Sequence, residues 1–201
     1  MPFFVRSLAA ALAFLAFTSL ADAQSVRLRG AIESVNGDAL VVQTRGGETD
    51  NVRLKPEAKI GAVLQAQLSD ITPGRFIGVA AAPGPDGVLK ALEVHIFPET
   101  MRGMGEGFRP FDLAPGSSMT NGNISAKVDT VDGPKLTVAY RGGEQTIIVD
   151  KATPIVLMAP GSTADLKPGA GVMVSATGKD SDGAYQAAYV VVGRDGVKPP
   201  M

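Results

Sequence analysis

The sequence predicts an all-β protein built as two small β-barrels in tandem. Three observations lead there. Short runs alternate apolar and polar residues with a period of two, which marks half-buried strands. Turn signals of Gly, Pro, Asn and Asp separate those runs at close spacing, the pattern of a barrel or sandwich. The turn signals then recur in register later in the chain.

In chain order, the first residues MPFFVRSLAAALAFLAFTSLADAQ form a leader. Arg6 supplies a positive start, Leu8 to Leu20 is an uncharged apolar run, and Ala21-Asp22-Ala23 is a small-residue cleavage site. This is the arrangement of a secretory signal peptide over residues 1–23. The apolar run is shorter than the roughly 20 residues a membrane span needs. No membrane span is expected after cleavage, and the mature protein is expected to be periplasmic or secreted.

The first unit is expected over residues 24–98. VRLRGAIESV opens as an alternating strand, and Asn36-Gly37-Asp38 turns it, because Asn and Gly tolerate positive φ. ALVVQT returns, Arg45-Gly46-Gly47-Glu48 turns again, and NVRL follows until Pro56 ends it. Ile60, Ala62, Leu64, Ala66 and Leu68 alternate next. Asp70-Ile71-Thr72-Pro73-Gly74 suits a type II turn, with Pro followed by Gly. RFIGVAAA and VLKALEVHIF close the unit around a turn at Asp86-Gly87.

The second unit is expected over residues 122–193. At an offset of 95 to 96 residues, Arg45-Gly46-Gly47-Glu48 faces Arg141-Gly142-Gly143-Glu144. Val35-Asn36-Gly37-Asp38 faces Val131-Asp132-Gly133-Pro134, and Asp70-Ile71-Thr72-Pro73-Gly74 faces Asp165-Leu166-Lys167-Pro168-Gly169. Asp86-Gly87 faces Asp182-Gly183. Four matches in register read as an internal duplication. Each unit has about 70 residues, which suits an OB-like barrel closed on itself to remove its edge strands. With 24 Gly and 14 Pro, no stretch after the leader sustains an amphipathic helix. Residues 194–201 read as a flexible tail.

Between the units lies the only long segment that does not repeat, a linker over residues 99–121. Together with the closing strand it carries the sole histidine, His95, and three of the seven methionines, Met101, Met104 and Met119. A connection of this length is expected to be ordered. Its methionines read first as packing residues that tack the linker across both barrels, with Phe97, Phe108 and Phe111. They read second as soft ligands for copper alongside His95, with Glu99 and Glu106 as oxygen donors.

Composition excludes several chemistries. Net charge is −1 and no basic run occurs, so nucleic acid is not an expected partner. The absence of cysteine removes disulfides, thiolate metal sites and cysteine nucleophiles. One histidine and no G-x-S-x-G leave no Ser-His-Asp triad. His95 alternates with Glu93 and is expected on the outer, solvent-facing side of its strand. Asp180-Ser181-Asp182-Gly183 starts like a calcium loop, but Val191 stands where that loop needs a glutamate. Gly103, Gly105 and Gly107 lack the helix a dinucleotide fingerprint requires.

The stretches Gly30 to Gly47, Asp70 to Gly74 and Asp86-Gly87 resemble a bacterial secreted family of uncharacterised, tandem OB-like small β-barrel domains. That resemblance implies the fold and carries no assigned activity. The expected function is therefore a non-enzymatic envelope module that binds or scaffolds an envelope protein or small ligand. A periplasmic copper-binding protein using His95, Met101, Met104 and Met119 is the alternative, and a carboxylate-based enzyme stands behind both.

Overall fold

A computed structural model describes residues 26–84 and 86–199. The expected signal peptide, residues 1–23, lies outside the described residues. The described chain is all-β, as expected. Its strands are β1 (Val26–Asn36), β2 (Ala39–Thr44), β3 (Thr49–Gln65), β4 (Phe76–Pro83), β5 (Leu89–Ile96), β6 (Gly107–Pro110), β7 (Ser118–Val128), β8 (Lys135–Tyr140), β9 (Gly143–Ile148), β10 (Ile155–Pro160), β11 (Gly171–Lys179) and β12 (Tyr185–Gly193). Helical structure among them is limited to single 3-10 turns at Leu68–Asp70, Glu99–Met101 and Thr163–Asp165.

The strands close into two five-membered rings of pairing. In ring one, β1 pairs β2 and β11, β2 and β12 both pair β3, and β11 pairs β12. In ring two, β4 pairs β5 and β7, β8 pairs β7 and β9, and β9 returns to β5 through Leu89↔Ile147 and Lys90↔Ile148. Ring one encloses Ile32, Leu40, Val42, Val52, Val174 and Val190, among others. Ring two encloses Ile77, Val79, Val94, Ile96, Leu136 and Val138, among others. Both interiors are aliphatic, which fits a chain with few aromatics.

The rings do not follow the expected division into residues 24–98 and 122–193. The β4–β5 hairpin of the first half completes ring two, and the β11–β12 hairpin of the second half completes ring one. The cause is the length of β3. Pro56 was expected to end that strand, yet β3 runs through it for 17 residues. Pro56 falls between Leu54 and Lys59, where β12 shifts register and the ladder asks for no donor. The continued strand carries the chain out of ring one, so the next hairpin lands on the other ring. There β10 bridges the rings, antiparallel to β3 (Met158↔Val63) and parallel to β5 (Val156↔His95).

Three smaller expectations also change. β7 begins at Ser118, so the last residues of the expected linker 99–121 are strand, and Met119, Thr120 and Asn121 are buried. Val131, set opposite Val35 in sequence, sits fully exposed in the longer loop between β7 and β8. Of the expected flexible tail, residues 194–201, the described residues 194–199 are held down. The Arg194 amide donates to the Val63 carbonyl, Arg45 donates to the Pro199 carbonyl at 2.9 Å, and Val197 packs against the apolar cluster that holds Val63, Phe76 and Val191. The type II expectation at Pro73-Gly74 holds in its key feature: Gly74 has φ 80 and Arg75 N–H closes on the Thr72 carbonyl.

Candidate ligand cavity between the two barrels

The outer faces of the two rings meet each other. A third cluster fills the junction: Val63, Phe76, Phe97, Val156, Met158, Met173 and Val191. Strand alternation puts it there. On β5, Val94 and Ile96 face the interior of ring two, so Glu93 and His95 face outward, and Phe97 just after the strand joins the junction cluster. The sequence placed His95 correctly on an outer face and wrongly in solvent. It is 1% exposed, because ring one and the linker cover that face.

At the edge of this junction lies a cavity of about 220 Å³. His95 lines it from β5 and Phe97 from just beyond that strand, Met119 and Asn121 from β7, and Met158 from β10. Met173, Ser175 and Tyr189 line it from β11 and β12, and Met104, Arg109 and Phe111 from the linker. Its walls are thus mostly thioether and aromatic, with a few polar groups. Of the four residues named as metal ligands from sequence, the fold brings His95, Met104 and Met119 together. Met101 is left out, and packs against the Phe76–Phe97 cluster instead. Neither expected oxygen donor joins them. Glu99 is tied to Arg102 at 2.6 Å, which holds its carboxyl below the usual range, and Glu106 accepts from the Arg141 amide at 2.8 Å.

Met158 and Met173 were missed. The signal was present in the alternation of IVLMAP and GVMVSA, but it mattered only once ring one faced ring two.

The cavity floor depends on a glycine. His95, Gly78 and Asn121 form one cross-strand row over β5, β4 and β7. A Cβ on Gly78 would stand 2.7 Å from Asn121 Oδ1 and 3.0 Å from Phe97 Cε2, so only glycine lets both side chains lie over the strand. The Asn121 amide nitrogen donates to the Met104 carbonyl at 2.9 Å and fastens the linker over the cavity.

Several polar atoms here are buried without an aligned hydrogen-bond partner among the described residues: His95 Nε2, Glu93 Oε1 and Asn121 Oδ1. His95 Nε2 does lie 3.1 Å from Glu93 Oε1, but the contact lacks hydrogen-bond alignment. Orphan polar atoms of this kind are costly and call for an explanation. Burial pushes the Tyr189 phenol up, so it is a neutral hydroxyl. At the rim, Arg27 stacks on Phe111 and pairs with Asp112 at 3.0 Å. Partial burial pushes the Asp112 carboxyl up, but Arg29 and Arg27 outweigh it and hold it below its ordinary value. Burial and then the neighbouring Arg27 lower the Arg109 guanidinium, which donates to the Gly105 carbonyl at 2.7 Å.

Among the described residues, no group of three or more His, Cys, Asp or Glu is placed to hold a metal ion. None of the described helices is long and apolar enough to cross a membrane.

Fold and cavity together define a class: an all-β protein of two interlocked five-stranded barrels with a cavity between them. Residues 121–191 match a domain of unknown function, DUF5666. The match begins in β7 and ends in β12, so the domain as a sequence unit is shared between both rings. No curated protein and no solved structure matches the chain.

Proposed function

We propose that the chain is a non-enzymatic binding protein of the bacterial envelope, and that its ligand site is the cavity between the barrels. The observation that carries this reading is the pair of orphan polar atoms, His95 Nε2 and Asn121 Oδ1, on residues that line a cavity walled mostly by thioether and aromatic side chains. A few convergent polar groups in an apolar recess are the usual make-up of a ligand site. The setting argues for binding rather than turnover, because a lone buried histidine has no nucleophile to activate and no second base beside it except Glu93. The leader-like start of the sequence supports export. We also take the first half to be a second copy of the domain matched at residues 121–191, which makes the chain a tandem pair of a secreted family.

Native mass spectrometry tests the reading. The full chain, exported by its own leader and recovered from a bacterial envelope fraction, is expected to carry a stoichiometric added mass. Ser175→Trp, which projects an indole into the cavity, is expected to abolish it. A bare chain throughout, or an added mass indifferent to Ser175→Trp, would overturn the assignment of the cavity.

A further inference from the structure

We infer that this cavity takes one soft monovalent metal ion, Cu(I), through the His95 imidazole and the thioethers of Met119, Met158 and Met173, with Met104 supplied by the linker. The inference rests on the cavity being a ligand site and names the class of ligand.

Four of the chain's seven methionines line this one cavity. They arrive from four segments and from both rings: Met104 from the linker, Met119 from β7, Met158 from β10 and Met173 from β11. Methionines that only fill gaps close the space around them. Met101 behaves that way: it packs against the apolar cluster and is absent from the cavity wall, whereas Met158 and Met173 belong to that cluster and also line the cavity. The other four leave space open between their side chains.

The donor set selects the metal. Thioethers are neutral and soft, and suit Cu(I) rather than Zn, Ca or Mg. Hard or borderline ions want carboxylates, or histidines in number, and the described residues offer no such group. The imidazole of His95 adds one nitrogen donor whose Nε2 is otherwise orphaned. Glu93 stands 3.1 Å from that nitrogen and is 1% exposed, so a carboxyl lies beside the site to balance a buried cation. The arginines at the rim do not oppose this. Arg27 shares the Asp112 carboxylate with Arg29, and Arg109 turns to the Gly105 carbonyl, so both guanidiniums are engaged at the rim.

The experiment uses the full mature chain with methionine methyl groups labelled with carbon-13. Cu(I) is added anaerobically in competition with a colorimetric Cu(I) chelator, and Ag(I) serves as the redox-inert probe for spectra. Binding of one ion is expected to shift the ε-methyls of Met119, Met158 and Met173 and the His95 ring, and to leave Met101 in place. Met158→Leu with Met173→Leu conserves volume and keeps the fold, so weakening of Cu(I) by about 100-fold reads ligand loss. Met101→Leu is expected to bind as the parent does. Equal affinity in the double variant, or shifts confined to Met101 or Met104, would place the metal elsewhere and overturn the proposal. Failure of both ions to bind, alongside an organic adduct that Ser175→Trp removes, would overturn the metal and leave the cavity reading standing.

Discussion

The Nε2 of His95 lies 3.1 Å from Oε1 of Glu93, and the two side chains are 2% and 1% exposed. They sit two residues apart on the covered face of β5. His95→Leu leaves the Glu93 carboxyl buried alone, and the expected loss of stability is about 3 kcal/mol. Glu93→Leu strands only an imidazole and is expected to cost about 1–2 kcal/mol. The double leucine variant should cost less than the two single changes together. Chemical denaturation of the four proteins gives the coupling directly. Simple additivity would show that the two groups ignore each other.

The exchange of hairpins between rings makes the two halves of the chain interdependent. Residues 26–98 alone contain β1, β2 and β3 without the β11–β12 pair that closes their ring. They also contain β4 and β5 without β7 or β9. Every ring would have open edges. Either half made alone is expected to be unfolded or aggregated, and the two made together to associate into the native pair of barrels. Circular dichroism and size-exclusion chromatography of the separate and co-expressed halves decide it. A half that folds by itself as a monomer would refute the dependence.

The repeated turns were legible because a turn demands particular residues. Gly74 after Pro73 announces its own geometry, and Asn36-Gly37 does the same for the first hairpin. Alternation likewise announced the strands and the two faces of β5. What the sequence hid was which faces would meet. Nothing local to Val191 or Met173 says that they join one cluster with Phe76 and Phe97. Pro56 misled for the same reason. A proline ends a strand only if the missing N–H was needed by a neighbour, and that depends on register with β12, some 130 residues away. The burial of His95 follows from the same unseen contact. The methionines of the linker were visible as candidates, while Met158 and Met173 became candidates only through the exchange of hairpins.

Thr120 offers a test of the ring-two interior. Its neighbours in sequence, Met119 and Asn121, face the cavity, so Thr120 points the other way, beside Val79. It is 0% exposed, and its hydroxyl has no hydrogen-bond partner among the described residues. Burying a hydroxyl without a partner costs stability, and valine has nearly the same shape. Thr120→Val is expected to stabilise the protein by about 1 kcal/mol, read as a rise in the urea midpoint at unchanged m-value. A fall in the midpoint would mean that the hydroxyl is satisfied.

Asp165 governs how the end of the chain responds to acid. Arg194 grips it with two bonds, Nε to Oδ1 at 2.8 Å and a terminal nitrogen to Oδ2 at 3.0 Å, and the Ser162 amide adds a third at 2.8 Å. The Arg194 fork first, and the Ser162 amide second, hold the carboxyl far below its ordinary value. The same Arg194 donates its amide to Val63 and its guanidinium to the Pro160 carbonyl, so the contact ties the chain end to β3 and β10. Above the unfolded pKa, about 3.9, Asp165 is ionised in both states and its contribution is complete. As pH falls below that value the unfolded chain takes up a proton that the folded one refuses, and stability drops. The contribution is gone only once pH falls through the depressed folded pKa. Asp165→Asn removes this contribution, so the variant should be less stable at pH 7 and lose less stability between pH 4 and pH 2 than the parent. Urea unfolding of both proteins across that range measures the difference. Parallel curves would show that Arg194 does not hold Asp165 in solution.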